Sequence, residues 1–196
     1  MTGSVLTLTV ALVVVFWAIG ARSRLLGLRT LVRNAFARID ANLQLRYDLI
    51  PTLVEAAKTA LKHEREMLEA VIDQRNQAMS ANARVAGDAT NLAAVQALVH
   101  CEDALVAKLG AMLSTVQACP ELKSNQSVVL LTEELESTEN RIAFARQAYN
   151  EAVRQHNAGL RQFPGSVIAA LSGLRLAEQW QAADIPLERR QDRSSP

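Results

Sequence analysis

The stretch from Met1 to Ala21 holds no charged residue, and Arg22, Arg24, Arg29 and Arg33 follow at once. About 20 apolar residues, each rising 1.5 Å in a helix, cover a ~30 Å hydrocarbon core. Residues 1–24 are therefore expected to form a transmembrane anchor in contact with membrane lipids. The juxtamembrane arginines are expected to set its topology and to meet anionic headgroups. By the positive-inside bias the N-terminus lies outside and the body lies in the cytoplasm. A cleaved signal peptide fits less well, because Met1-Thr2-Gly3-Ser4 lacks a basic residue and the apolar run exceeds a usual h-region.

The 196 residues leave room for one domain beyond this anchor. Aromatic residues make up 4% of the chain, so the core must be built from Leu, Val, Ala and Ile. A net charge of +1 lacks the basic excess of a nucleic-acid binder, and no nucleic-acid partner is expected. Cys101 and Cys119 share one helical stretch. Eighteen residues of helix separate them by about 27 Å, too far for a disulfide. Free buried thiols in a reducing compartment are the expectation.

After the anchor, Leu28, Leu31, Val32, Ala35, Phe36, Ile39 and Leu43 recur at helical spacing. Pro51 removes a backbone donor, so a kink or break is expected over residues 47–50, with Asp48 capping a new helix. A stripe of Val54, Ala57, Leu61, Leu68, Val71, Ile72 and Met79 follows. Asn76 to Asp88 is small and polar and reads as a loop or a fraying helix end. Gly87 suits a left-handed position there, and Asp88 an N-cap.

A second helix is expected from Ala89 to Ala118 and a third from Ser127 to Arg161, with a turn over 120–125. Val128, Leu135, Ile142 and Tyr149 fall seven apart, a coiled-coil-like spacing. Phe163-Pro164-Gly165 breaks the pattern before a short fourth helix over Ser166–Ala182. Residues 183–196 are charged and read as a disordered tail. No period-two alternation marks a strand. The expected fold is all-α: a single N-terminal transmembrane helix, then an antiparallel bundle of three long helices plus a short fourth helix over residues 25–182.

Reactive chemistry has little foothold in this pattern. His63 with Glu66 and Glu69 is the best metal-like cluster, with His63 and Glu66 on one helical face. A di-iron bundle needs Glu-x-x-His pairs on two helices, and the order here is reversed without a second pair. Glu133, Glu134 and Glu136 have no histidine near them. His100 and Cys101 are adjacent, hence about 100° apart on a helix, and form no dyad. No glycine-rich phosphate loop or nucleophile elbow occurs. No catalytic, cofactor or metal residue is assigned.

The candidates for helix register or partner recognition are polar residues close to the apolar stripes. They are Arg46, Tyr47, Asp48 and Pro51, then Glu139, Asn140 and Arg141, then Asn150 and Asn157 one heptad apart.

Several of these residues stand in stretches that resemble the LemA family. Residues 39–55 (Ile39-Asp40-Ala41-Asn42 through Leu49-Ile50-Pro51-Thr52-Leu53-Val54-Glu55) are similar to its first signature, continued by His63-Glu64 and Leu68-Glu69. Pro120-Glu121-Leu122-Lys123-Ser124-Asn125-Gln126 resembles the second. Residues 133–146 and Tyr149-Asn150-Glu151-Ala152-Val153 resemble the third, and Asn157 and Phe163-Pro164 complete it. Thr52, Phe36 and His156 depart from the asparagine, tryptophan and tyrosine usual in the family, and Leu174 and Gln179-Trp180 depart from its usual terminal pattern. The resemblance implies a bacterial inner-membrane protein with one N-terminal span and a helical bundle, and no established activity. The expected function is a non-enzymatic, membrane-tethered scaffold or adaptor for other membrane-associated proteins. Self-assembly on the membrane surface and sensing of a metal or small ligand are the alternatives.

Overall fold

Apolar periodicity from Leu25 onward becomes part of one uninterrupted helix. Helix α1 spans Thr2–Ala57, 56 residues, about 84 Å at 1.5 Å per residue. No break separates the uncharged stretch from the part that packs into the protein. The computed structural model describes residues 2–181, so the tail over 183–196 lies outside the described residues. Among the described residues, all regular structure is helical, in six helices.

Of the kink or break expected at Pro51, the break does not occur: α1 runs on through it, and Asp48 lies within the helix rather than at a cap. A proline in a helix leaves the carbonyl four residues earlier without its donor. Here that carbonyl belongs to Tyr47, and Arg75 Nε donates to it at 2.9 Å. A tertiary partner thus replaces the lost backbone bond. The helix ends instead at Ala57, and turns over residues 58–63 lead to helix α2, Arg65–Gly87.

The stretch expected to be a loop or a fraying helix end, Asn76 to Asp88, is regular helix as far as Gly87. Its small residues face inward: Ala78, Ala81, Asn82 and Val85 are buried. Asn82 Nδ2 donates to Asp40 Oδ1 on α1 at 2.5 Å. Gly87 has no positive φ, and Gly173 alone does so among the described glycines. Asp88 is the C-cap of α2 rather than an N-cap, and its side chain accepts from Thr90 N and Oγ1. Helix α3, Leu92–Ala118, begins at the Asn91 cap, whose side chain accepts from Ala94 N.

Helix α4, Pro120–Lys123, is a single turn within the expected connection. Asn125 then caps helix α5, Gln126–Arg161, by accepting from Ser127 N and Val128 N. Val128, Leu135, Ile142 and Tyr149 are all buried. Helix α6 is Gly165–Ser172, much shorter than the expected Ser166–Ala182. Gly173 leaves it in the left-handed region (φ 66°), open to glycine without strain. Residues 174–181 form no helix.

α1 packs most closely on α5, and α2 on α3, with α1 also meeting α2. A large core joins these helices, and a smaller cluster of Leu25, Leu160, Ile168 and Ala169 lies beside the uncharged stretch. Gly165 allows the return of α6 onto α5, since a Cβ there would stand 2.0 Å from the Gly159 carbonyl oxygen. Below this cluster Leu12, Val13, Val14, Val15, Phe16 and Ile19 are all exposed. Within α1, Ala11–Ala57 contains a window apolar enough to cross a membrane, of which 6% is buried. A core helix of a soluble protein would bury most of such a window.

Candidate functional site: a buried charge cluster and a backbone clamp

All four long helices contribute side chains to a polar cluster between them. Arg46 on α1 is 1% exposed. Its guanidinium pairs with Glu102 on α3 and with Glu139 on α5, the latter at 2.8 Å. Tyr47, fully buried beside it, donates its hydroxyl to the other carboxylate oxygen of Glu102. From α2, Arg75 reaches the Tyr47 carbonyl and comes within 4.0 Å of exposed Asp48. Gln74 Nε2 donates to the Cys101 carbonyl at 3.2 Å, next to Glu102.

Burial sets the electrostatics of this cluster. It raises the Tyr47 phenol above its ordinary value, and the Arg46 charge only partly offsets that. Burial lowers the Arg146 guanidinium, against Glu139, which favours its charge. A buried charge is tolerated when paired and hydrogen-bonded, and is strongly destabilising once its partner is removed. The cluster therefore ties α3 to α1 and α5, from which the α3 backbone stands farther than it does from α2.

Asn150 and Asn157 do something else. Asn150 Oδ1 accepts from Trp180 N at 2.7 Å, and its Nδ2 donates to Trp180 O at 3.0 Å. Asn157 makes the same pair of bonds with Ala177, both at 2.9 Å. One heptad of helix rises about 10.5 Å, and three extended residues cover about 10 Å. The two carboxamides thus match successive steps of an extended backbone laid along α5. Buried His156 adds a bond from Nε2 to the Arg175 carbonyl at 3.2 Å. Tyr149 places its hydroxyl 3.1 Å from the Glu178 carbonyl and 3.2 Å from that of Ala89. Burial lowers the His156 imidazole, although its bond to Arg175 opposes this. Burial raises the Tyr149 phenol.

The structure thus brings Arg46, Tyr47, Asp48, Pro51 and Glu139 into one neighbourhood, and Asn150 and Asn157 into another. Asn140 and Arg141 are exposed and belong to neither. Glu102 and Arg75 escaped the sequence reading. A signal for Glu102 exists: it occupies the buried phase of Val95, Leu98, Leu105, Leu109, Met112 and Val116. His63 lies exposed in the turns before α2 and does not share a helical face with Glu66, which corrects the sequence reading. Glu69 pairs with Arg65 instead. Among the described residues no three of His, Cys, Asp and Glu gather to hold a metal ion. Cys101 and Cys119 are free and half-buried rather than fully buried.

Residues 35–192, which include both arrangements, match the LemA family. The chain belongs to the LemA family. It is also similar to two curated proteins of Paramagnetospirillum magneticum, Magnetosome protein MamQ 1 and Magnetosome protein MamQ 2. Each is 27% identical over 95 residues, covering 47% of this chain and 35% of the relative. This LemA chain therefore spans about a third of the length of the curated relatives it matches. Arg46, Tyr47, Pro51, Asn150 and Asn157 all lie within the matched residues.

Proposed function

We propose that this LemA-family chain is a non-enzymatic, single-span scaffold of a bacterial inner membrane, with an antiparallel bundle on the cytoplasmic side that organises other membrane-associated proteins. The supporting observation is that one helix serves as both candidate span and central strut. α1 carries exposed apolar residues at one end and, without interruption, holds Arg46 and Tyr47 in the buried cluster at the other. Such a connection fixes the bundle beside the bilayer and leaves its outer faces for contacts. Buried Arg46 and Tyr47 set register. Exposed Asp48, Asn140 and Arg141 are the partner-facing members of the set. The matched relatives are named as magnetosome proteins.

Crosslinking in intact membranes followed by mass spectrometry tests this. A reproducible set of membrane proteins should be recovered with the full chain and depleted by Asp48→Ala with Asn140→Ala and Arg141→Ala. Recovery of no reproducible partner overturns the scaffold, and a chain wholly in the detergent-free high-speed supernatant overturns the tether. Self-assembly is the second reading, favoured by Leu130 and Phe144, which are 58% and 77% exposed and two heptads apart on α5. It predicts crosslinked ladders of this chain alone.

A further inference from the structure

Residues 162–174 carry no charge, and Arg161 and Arg175 flank them. Within this stretch α6 is apolar on two sides. Ile168 and Ala169 are buried against Leu25 and Leu160. Val167 and Leu171 on the other side are 51% and 83% exposed, and Phe163 just before the helix is 75% exposed. A short helix with apolar groups on both sides is normally enclosed on both. The protein encloses only one.

Position along α1 identifies what meets the other. The Phe163 ring lies 5.4 Å from the Trp17 ring, between centroids. Trp17 stands four residues before Ala21, about 6 Å down the helix, and Leu25 stands about 6 Å above it. The headgroup layer on each side of a bilayer is itself about 5–8 Å thick. The Phe163–α6 unit therefore lies at the boundary, continuous with exposed Phe16 and Ile19. Arg24 lines a crevice of about 310 Å³ shared with Trp17, Gln162 and Phe163. Exposed Arg22, Arg161 and Arg175 stand nearby in sequence. These like charges would oppose a second copy and suit an anionic lipid surface.

We propose that Phe163 and α6 form a second membrane contact, an interfacial one. Phe163, Val167 and Leu171 enter the acyl boundary of the leaflet beside the bundle. Arg24, Arg161 and Arg175 meet anionic headgroups above them. This rests on α1 being a membrane span.

The test uses the unaltered full chain in vesicles of phosphatidylethanolamine and phosphatidylglycerol that contain a photoactivatable phosphatidylglycerol. Trypsin cuts after Arg161 and Arg175 and isolates the relevant peptide. Lipid adducts on that peptide, reduced severalfold by Val167→Glu with Leu171→Glu, support the proposal. Adducts on α1 peptides alone overturn it while leaving the span intact. Adducts on neither remove the span and the proposal together. Protein–protein crosslinks through the peptide in place of lipid adducts assign the face to a second copy and also overturn it. As a second measurement, fluorophores at Val167→Cys and Leu171→Cys in a Cys101→Ala, Cys119→Ala background should be quenched by headgroup-proximal nitroxide lipids severalfold more than one at Gly110→Cys. Quenching equal to that at Gly110→Cys overturns it.

Discussion

The two ends of α1 are the same helix in different surroundings. From Leu25 to Ala57 the buried residues are spaced by helical turns: Val32, Phe36, Ile39, Leu43, Tyr47, Ile50 and Leu53. Leu8 and, from Leu12 to Ile19, the large apolar residues are exposed whichever way they point. The upper part has a dry side and a wet side, so its sequence alternates. The lower part shows no such distinction, as expected where one solvent surrounds the helix on every side. The upper part also tolerates a buried charge, because α3 and α5 supply carboxylates. The lower part has no such partner among the described contacts.

The largest expected effect comes from breaking the tolerance of the upper part. Arg46→Met leaves Glu102 buried without its cation and should cost about 3–5 kcal/mol, read as a lowered melting temperature in detergent. Phe16→Met should leave that melting temperature unchanged. The reciprocal change puts a charge where none is compensated. Val14→Arg should weaken insertion by about 2.5–3.5 kcal/mol, read as a smaller carbonate-resistant membrane fraction, while the melting of the bundle stays constant.

A finer test concerns the proline. Arg75→Ala should cost about 1–3 kcal/mol by leaving the Tyr47 carbonyl without a donor. The loss should shrink in a Pro51→Ala background, where the restored backbone N–H takes that carbonyl. Additive costs in the double variant would show that Arg75 acts elsewhere. The smallest effect concerns pH. Burial holds the His156 imidazole below its ordinary value, so the unfolded chain takes up a proton first as pH falls. Its contribution is complete above about pH 6.5 and is lost progressively below it. His156→Gln should flatten that part of the stability profile, measured by denaturant unfolding across the range.

Helix α5 was legible because its signals agree. Asn125 sits at a cap, the heptad residues Val128 to Tyr149 are buried, and the Phe163-Pro164 break follows closely. Pro51 was misread because its penalty is local while its remedy is not: Arg75 stands on another helix. The 76–87 stretch looked like a loop because Ala, Asn and Ser carry little hydrophobic signal. Their small size is what lets α2 approach α1 closely enough for the Asn82–Asp40 bond. The candidate site was half legible. A lone acid such as Glu102 reads as solvent-facing unless its heptad phase is counted. Asn150 and Asn157 showed their spacing, but the extended segment that they hold could not be inferred from helical periodicity.

The unbroken length of α1 has a mechanical consequence. Where a bilayer changes thickness, a single span accommodates by leaning. A lean of about 10° at Arg22 would carry the Arg46 level, roughly 36 Å farther along, sideways by about 6 Å. No swivel intervenes between the two points to absorb it. If α1 spans a bilayer, the helices packed on its far end then act as a pointer, turning the thickness of the lipid beneath them into a lateral displacement.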